Sequence, residues 1–280
     1  MRFKAAALQM RSGLIPAHNV ATVAAAAKEA KAAGADYLQT PEMTTLVNRD
    51  RAAMMAAIGD DKVNPELDAL RTIARDNAIH LHIGSMAVRV GDKAANRAFV
   101  IDPKGEVVAT YDKIHLFDVD LAGGESWRES NAYVGGNEAV TVDLPFGRLG
   151  LAICYDVRFP QLFRAYGDTA VDIISAPACF TKQTGEAHWH VLQRARAIEN
   201  GAWMISAAQA GHHEDGRDTY GHSVIVDPWG RVIADAGETL GLIYGEVDVH
   251  AVAATRGKIP NLKNARPFTV TSEPALRAAE

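Results

Sequence analysis

The sequence predicts an α/β fold, because short apolar runs with the spacing of β-strands alternate with longer segments of helical spacing. A chain of 280 residues can bury a large core, and its apolar fraction of 48% and charged fraction of 22% are ordinary for a globular protein. No linker, low-complexity stretch or block of like charge divides the chain. We therefore expect a single domain over residues 1–280, in which residues 255–280 form an extended C-terminal tail.

The first half of the chain begins with this alternation. A strand is expected over residues 3–9, and the alanine-rich segment 18–33 is expected to form a helix that ends at Gly34, since glycine commonly closes helices. A second helix is expected over residues 65–77, where apolar side chains recur at helical spacing. Further strands are expected over residues 37–40, 79–88, 97–101 and 107–111, and a turn at 102–105 separates the last two.

The second half repeats the alternation. Helices are expected over residues 161–166 and 188–200. Strands are expected over residues 139–143, 149–153, 172–175, 204–208, 221–226, 231–234 and 241–247. The turn Asp-Pro-Trp-Gly at 227–230 resembles the turn Asp-Pro-Lys-Gly at 102–105, which fits either a weak internal duplication or two hairpins with similar turn chemistry.

Composition and charge exclude several classes of function. A formal net charge of −5 leaves no basic face for nucleic acid, and no apolar run is long enough to cross a membrane. The chain has two cysteines, so a disulfide framework is not expected and we predict a cytoplasmic protein with reduced thiols. The histidines lack the spacing of a zinc site, so no metal-binding residues are predicted.

The most informative residue is Cys154, which follows the apolar strand expected at residues 149–153. A turn and the helical segment 161–166 come next, so the thiol is expected at the carboxyl end of a strand, on a sharp turn. This is the arrangement of a nucleophile elbow, which displays a reactive side chain at the mouth of an α/β sheet. The helix that follows would also favour the thiolate form of Cys154.

Two further reactive side chains follow strands. Glu42 comes after the strand at 37–40, and Lys113 comes after the strand at 107–111. Because ligands of open α/β sheets bind at the carboxyl ends of strands, we expect Glu42, Lys113 and Cys154 to converge at the edge of one sheet. Glu42 would then accept the thiol proton and later protonate departing ammonia. Lys113 and the backbone N–H of Tyr155 would stabilise an oxyanion.

The segments that carry these residues resemble motifs of the nitrilase, or carbon–nitrogen hydrolase, superfamily, which uses a glutamate, a lysine and a cysteine. The matching motifs are Pro41-Glu42, Tyr111-Asp112-Lys113-Ile114-His115 and Cys154-Tyr155-Asp156-Val157-Arg158-Phe159-Pro160. Within the superfamily, the chain is most similar to the Nit branch of ω-amidases and deaminated-glutathione amidases. That similarity lies in segments 185–189, 194–200, 207–213, 220–223 and 227–230.

The resemblance implies a four-layer α–β–β–α sandwich and an enzyme without a cofactor. It implies hydrolysis of a small linear carboxamide, such as deaminated glutathione or the ω-amide of a 2-oxo acid, to an acid and ammonia through a cysteine thioester. It also implies a homodimer or a higher even homo-oligomer. The superfamily has a second glutamate beside the site that would orient the lysine; Glu129 matches it, and Glu125 is the competing choice.

Other residues near these motifs are candidates for contacts with the substrate. Arg158 and Lys182 could pair with a substrate carboxylate, or could instead hold the scaffold through ion pairs. Phe180 lies close to Lys182 in the same segment. His213 belongs to the polar loop 211–220, which is expected either to form a mobile rim of the pocket or to be a surface loop without function.

Three other functions stay open from the sequence. A nitrilase or an N-carbamoyl amide hydrolase would use the same glutamate, lysine and cysteine on a different carbon–nitrogen bond. A non-catalytic binding module would keep the fold without turnover. The intact set of Glu42, Lys113 and Cys154 favours an enzyme.

Overall fold

Two β-sheets that face each other form the centre of the protein in a computed structural model, which describes residues 1–60, 62–121, 124 and 126–272. In chain order the strands are β1 (Arg2–Gln9), β2 (Tyr37–Gln39), β3 (His80–Val90), β4 (Lys93–Ile101), β5 (Val107–Asp112), β6 (Asp118–Asp120), β7 (Ser126–Arg128), β8 (Tyr133–Val134), β9 (Val140–Leu144), β10 (Gly147–Leu151), β11 (Ile173–Ser175), β12 (Trp203–Ser206), β13 (Ala210–His212), β14 (Asp218–Tyr220), β15 (Val224–Val226), β16 (Val232–Asp235) and β17 (Gly241–Asp248).

The helices begin and end at recognisable sequence signals. At the start of the third helix, the side chain of Asn64 accepts a hydrogen bond from the N–H of Leu67, and proline occupies the first position. The fifth helix ends at Gly201, which is left-handed with a φ of 54°. The helices are α1 (Pro16–Ala32), α2 (Arg51–Ala57), α3 (Pro65–Asp76), α4 (Pro160–Asp168), α5 (Lys182–Asn200) and α6 (His250–Lys258).

The two large sheets share a mixed topology. The first has the order β17-β1-β2-β3-β4-β5, with β8 beside β4; its neighbours β1, β2 and β3 run parallel. The second has the order β16-β15-β12-β11-β10-β9, in which β10, β11 and β12 run parallel. Both sheets therefore direct the carboxyl ends of their central parallel strands to one edge, where ligands of such sheets bind.

The first sheet divides the core into two clusters of buried apolar residues, and β1 contributes side chains to both. Ala5 and Ala7 belong to the cluster between the two sheets, whereas Ala6 and Leu8 belong to the cluster under the outer helices. Successive side chains of a strand point to opposite faces, so one short strand contributes to both clusters.

Helices cover the outer face of each sheet. Apolar residues of α1 and α3 pack on the first sheet, among them Val23 and Leu70. Residues of α4 and α5 pack on the second sheet, among them Phe163 and Trp189. This confirms the α/β class and the four-layer sandwich. In the described part of the chain, no helix is both long and apolar enough to cross a lipid bilayer.

Several elements differ from the sequence-based expectation. The helix expected from residue 188 begins at Lys182, and the short helices α2 and α6 were not anticipated. The loop 211–220 contains the hairpin of β13 and β14. The first four residues of the expected tail, 255–258, belong to α6. The helix extends this far because the N–H of Ile259 still bonds to the carbonyl of Thr255, and the irregular segment starts at Ile259.

Candidate active site

Glu42, Lys113 and Cys154 meet in the space between the two sheets. Glu42 follows β2 and Lys113 follows β5, both in the first sheet, but Cys154 follows β10 in the second. The expectation that all three end strands of one sheet was therefore wrong. The strand before Cys154 pairs with β9 and β11 of the second sheet.

Lys113 is buried between two carboxylates. Its Nζ lies 2.9 Å from Oε1 of Glu42 and 2.9 Å from Oε2 of Glu129. Asn96 on β4 ties the two carboxylates together, since its Nδ2 donates to Glu42 Oε1 at 2.8 Å and to Glu129 Oε1 at 3.0 Å. Glu129 thus occupies the place expected of a second glutamate. Its competitor, Glu125, lies outside the described residues.

Hydrogen bonds from one backbone group and one side chain fix the orientation of Glu42. The N–H of Cys179 donates to Oε2 of Glu42 at 2.7 Å, and the side-chain amide of Gln209 donates to the carbonyl of Glu42 at 3.0 Å. Both oxygens of the carboxylate and the main chain beneath it are therefore held. A carboxylate with fixed donors on both oxygens keeps a defined position for proton transfer.

The charges of this cluster control its pKa values. Burial alone would raise the pKa of Glu42, but the Lys113 ammonium and its hydrogen bond bring that pKa below the ordinary value of 4.5. Burial would lower the pKa of Lys113, but Glu129 and Glu42 raise it well above 10.5. Glu42 is therefore an ionised acceptor of protons, and Lys113 is a permanent cation near neutral pH.

Cys154 lies on a strained turn. Its φ is 49°, in the left-handed region that residues other than glycine rarely occupy, and its N–H donates to the carbonyl of Pro177 at 2.9 Å. This geometry agrees with the expected elbow. Cys154 is itself the first residue of a 3₁₀ turn, Cys154–Arg158, and α4 begins only at Pro160.

The helix that follows Cys154 was expected to favour its thiolate, but the surroundings as a whole act in the opposite direction. Burial and the Glu42 carboxylate raise the pKa of the Cys154 thiol well above its ordinary value, and these effects exceed the lowering by Lys113. The resting residue is therefore a neutral thiol beside a carboxylate that can accept its proton.

Asp156 connects the segments that carry Lys113 and Cys154, and it was missed as a candidate from the sequence. Its Oδ2 accepts from the Tyr111 hydroxyl at 2.7 Å and from the N–H of Ile153 at 2.9 Å. Its Oδ1 lies 2.7 Å from Nδ1 of His115 and 3.1 Å from the backbone nitrogen of the same residue. One fully buried carboxylate thereby joins the end of β5 to the turn at Cys154.

A pocket of about 780 Å³ opens over these residues. Glu42, Lys113, Glu129 and Cys154 lie on its wall. Its size is within the range of sites that bind ligands larger than a few atoms. The wall also contains Tyr155, Phe117, Trp127, Cys179, Phe180 and the arginines Arg49, Arg51, Arg128 and Arg217.

The residues predicted to contact substrate are placed differently from one another. Phe180 lines the pocket, whereas Arg158, Lys182 and His213 are not among the described lining residues. The guanidinium of Arg158 lies 5.1 Å from the ring centroid of Phe180. Lys182 is largely exposed and lies 4.0 Å from Glu238.

His213 is buried and bonded within the scaffold. Its Nδ1 lies 3.0 Å from the carbonyl of Ser12, and its Nε2 lies 2.8 Å from the Thr219 hydroxyl. Both ring nitrogens are occupied, so His213 joins β13 and β14 to the N-terminal segment. His213 and Lys182 are not among the described residues that line the pocket, and their contacts with substrate stay predictions.

One group outside the pocket has the composition of a metal site. The donor atoms of His190, His222 and Asp235 lie within 4.8 Å of one another. Nε2 of His190 is 2.8 Å from Asp235, and Nδ1 of His222 is 3.0 Å from the same carboxylate. The three side chains satisfy one another by hydrogen bonds that join α5 to β16, and they take no part in the pocket.

Comparisons with known proteins show the family of the chain. The family model described as carbon–nitrogen hydrolase matches residues 4–257. A deaminated glutathione amidase from Yersinia enterocolitica is 36% identical over 265 residues, which cover 93% of this chain and 92% of that relative.

Solved structures of similar fold include a NitFhit protein and an amidase. The NitFhit protein of C. elegans is 33% identical with a TM-score of 0.86; the match covers 95% of this chain but only 65% of that longer one. An amidase from Nesterenkonia sp. AN1 is 26% identical with a TM-score of 0.81 over 94% of both chains. In that structure, a glutamate-to-glutamine mutant, the acetamide moiety of fluoroacetamide is bound covalently to the active site cysteine.

Proposed function

Because the chain belongs to the carbon–nitrogen hydrolase family, we propose that it cleaves a linear carboxamide to a carboxylate and ammonia through a thioester on Cys154. The protein is a hydrolase that acts on carbon–nitrogen bonds, and its relatives make it an amidase. The observation that carries the residue-level mechanism is that Glu42, Lys113 and Cys154, distant in sequence, share one pocket wall.

Acylation begins with the neutral thiol. Glu42 accepts the proton of Cys154 while the sulfur attacks the amide carbon and the carbonyl oxygen becomes an oxyanion. Lys113 stabilises this oxyanion as a fixed cation. The C–N bond then breaks as Glu42 delivers its proton to the nitrogen, so that ammonia leaves and a thioester remains.

Deacylation repeats these steps with water. Glu42 takes a proton from the water, whose oxygen attacks the thioester carbon. The C–S bond breaks and the sulfur of Cys154 regains the proton from Glu42. The products are the free carboxylic acid and the original enzyme, so no cofactor is consumed.

Two further groups support the oxyanion. The N–H of Tyr155 has no backbone or side-chain acceptor among the described residues and follows directly after the nucleophile. It is available as a second donor. Glu129 is a second carboxylate bonded to Lys113 beside Glu42, which keeps the ammonium charged and oriented. Removal of one such donor typically costs about 2.7–4 kcal/mol of transition-state stabilisation.

We assign deaminated glutathione, or the ω-amide of a similar 2-oxo acid, as the substrate class. Relatives at 36–40% identity are named deaminated glutathione amidase. The pocket volume of about 780 Å³ accommodates an amide much larger than acetamide.

Trapping of the acyl-enzyme tests the proposal. The purified protein is incubated with a panel of linear amides, ammonia is quantified, and the quenched enzyme is digested for mass spectrometry. The peptide that contains Cys154 should gain the mass of the acyl group, and Cys154→Ala should release no ammonia while it keeps its circular dichroism spectrum. Cys179→Ala controls for the second thiol, and the adduct should still form on Cys154. Ammonia release by Cys154→Ala would overturn the mechanism.

The same panel separates the rival functions. A nitrilase would convert a nitrile to the acid faster than the matched amide, and an N-carbamoyl hydrolase would release carbon dioxide as well as ammonia. A binding module would release neither product from any of these compounds. The amidase assignment requires that the protein hydrolyses the amide faster than the matched nitrile or N-carbamoyl compound.

The assembly and location predicted from the sequence stay proposals. Both cysteines are free thiols in the structure, and a reducing, cytoplasmic environment would keep Cys154 active. An even-numbered homo-oligomer is expected, and light scattering coupled to gel filtration measures it directly. A monomer at all concentrations would overturn that expectation.

A further inference from the structure

Arg49 is placed against an aromatic ring in the wall of the pocket. Its guanidinium carbon lies 4.6 Å from the ring centroid of Trp127, and that of Arg217 lies 5.1 Å from the same ring. All three side chains line the pocket. Two guanidinium groups thus share one indole ring, which favours an anion nearby.

The cations of the pocket differ in whether a carboxylate already neutralises them. Lys113 has Glu42 and Glu129. Arg217 directs both Nε and Nη2 to Asp215, at 2.9 and 2.8 Å. Arg128, a third cation of the pocket, forms an ion pair with Asp120 at 2.8 Å.

No carboxylate of the described residues pairs with Arg49. Among the described residues, neither a hydrogen bond nor an ion pair is made by its guanidinium, and its side chain is exposed to the pocket. The neighbouring Arg51 also lines the pocket, but its Nη2 donates to the backbone carbonyl of Asp92 at 2.8 Å. Of the lining arginines that the structure describes, Arg49 is therefore the one with no side-chain donor engaged by a described residue.

The charge at the reacting end of the pocket determines where an anionic group of the substrate can lie. Glu42 and Glu129 carry two negative charges and Lys113 carries one positive charge, so this end is negative while Cys154 is a thiol. A substrate carboxylate is repelled there. It is attracted to an unpaired guanidinium elsewhere in the same pocket.

We propose that Arg49, held against Trp127, binds a carboxylate of the amide substrate and thereby makes the enzyme selective for anionic amides. This inference rests on the amidase function proposed above and assigns the end of the substrate that does not react. Arginine suits the role because its planar fork binds a carboxylate through two parallel hydrogen bonds. Arg217 positions the indole ring from within the wall and is itself satisfied by Asp215.

Matched substrates test the assignment. Kinetics are measured by ammonia release from ω-carboxyamides of increasing chain length and from the neutral alkyl amides of the same lengths. For the wild-type protein, kcat/KM should be higher for the anionic member of the best pair. In Arg49→Ala the ratio of the two kcat/KM values should fall by about ten- to hundred-fold, chiefly through KM, because a charge-assisted hydrogen bond is lost.

Two controls separate binding from structure. Arg51→Ala removes the adjacent cation and should keep the wild-type ratio. Added salt should raise KM for the anionic amide in the wild-type protein but not in Arg49→Ala, since Arg49 is exposed to solvent ions.

The outcomes distinguish the two proposals. If the wild-type protein hydrolyses neither member of any pair, the proposed amidase function fails. If it hydrolyses both but Arg49→Ala leaves the ratio unchanged, or Arg51→Ala lowers it as much, the role of Arg49 is overturned. A fall of both kcat/KM values by the same factor also contradicts it, because a structural defect does not distinguish charge.

Discussion

At the residue scale, the proposed reactivity of Cys154 depends on the balance of charges around it and not on a pre-formed thiolate. The set of Glu42, Lys113 and Glu129 has one negative charge in excess, which disfavours a further negative charge on the sulfur. In the proposed mechanism, the proton therefore leaves only when attack on the substrate places the new negative charge on the carbonyl oxygen, beside Lys113. This couples proton transfer to bond formation.

The pKa directions predict a broad pH plateau. Glu42 has a lowered pKa and stays ionised as pH falls to below 4.5, whereas Lys113 stays cationic to above 10.5 and Cys154 keeps its proton beyond 9.0. We expect kcat/KM to be constant between about pH 5.5 and about pH 9. A rate measurement in overlapping buffers of constant ionic strength checks this, and a limb near 6.5 would indicate a histidine base instead.

The acid side of this profile also involves stability. A carboxylate with a depressed pKa stabilises the fold above its unfolded pKa, and this stabilisation is lost as pH falls through the folded pKa. Glu42 has that direction of shift. Circular dichroism at each pH is therefore the control that separates loss of the base from loss of the fold.

Asp156→Asn should impair both stability and turnover. The amide cannot accept all the bonds that Tyr111, Ile153 and His115 make to the carboxylate, so at least one buried donor loses its partner. We expect a loss of about 1–3 kcal/mol in the free energy of unfolding and a lower kcat with little change in KM. Urea denaturation and steady-state kinetics measure the two effects.

The matched control for Asp156 is an exposed carboxylate on β9, the strand that pairs with β10. Asp143 on β9 pairs with Arg148 at 2.7 Å and is 73% exposed. Asp143→Asn should change stability by less than about 1 kcal/mol, because exposed ion pairs contribute little. Equal effects of the two substitutions would contradict the positioning role of Asp156.

The sequence predicted the reactive residues better than it predicted their surroundings. Glu42, Lys113, Cys154 and Glu129 come together as expected, although their catalytic roles stay predictions. Asp156 was not recognised, because an acidic residue after a strand looks like any turn residue until its partners from another segment are known. Arg49 was missed for the same reason: its position depends on Trp127, which lies far along the chain.

At the element scale, close approach of loops sets the distance between Glu42 and Cys154. Gly84 on β3 packs against the segment 40–41 that leads to Glu42 and against Pro177, whose carbonyl holds the N–H of Cys154. A Cβ at Gly84 would overlap the carbonyl oxygen of Thr40 and lie 2.6 Å from Cβ of Pro177. Only a glycine leaves room for both loops.

Gly84→Ala should therefore separate the two sides of the site. We expect a loss of about 1–3 kcal/mol in unfolding free energy from overpacking, together with a marked fall in kcat. Thermal denaturation and ammonia-release kinetics check both. Gly257→Ala in α6 is the control, because no heavy atom lies within 4 Å of its added Cβ; that variant should gain about 0.5–1 kcal/mol and keep its rate.

Elements with strong periodicity were predicted well, and those held by tertiary contacts were not. Helix α3 shows a cap, a proline and an apolar stripe within its own sequence. The first turns of α5 are polar, and Gly185 there is held against the ring of Tyr220, a contact that depends on the hairpin of β13 and β14. The local sequence pattern alone therefore could not predict that α5 begins at Lys182.

At the scale of the whole molecule, the site exists only when both sheets are packed together. The alternation of strands and helices indicated the α/β class, but period-two patterns do not state to which sheet a strand belongs. That assignment depends on long-range pairing, such as β1 with β17 at the other end of the chain. The four layers were expected from family resemblance and not from the residue pattern.

The shared core predicts that the two sheets unfold together. The ring of Phe3 on β1 stacks on that of Phe146, in the turn between β9 and β10, with ring centroids 4.0 Å apart. Both rings are buried, so the contact joins the sheets through apolar surface. We expect one urea midpoint for far-UV circular dichroism, for the fluorescence of the buried Trp189 and Trp203, and for amidase activity.

Phe146→Ala tests this coupling, since loss of a buried phenylalanine typically costs about 3–5 kcal/mol. All three midpoints should move to lower urea by the same amount, because neither sheet keeps its inner face covered without the other. Phe268→Ala, at a side chain that is 86% exposed, should move none of them. If fluorescence shifted while the circular dichroism of the remaining structure did not, the sheets would be independent units, and a site assembled across them would not require their joint folding.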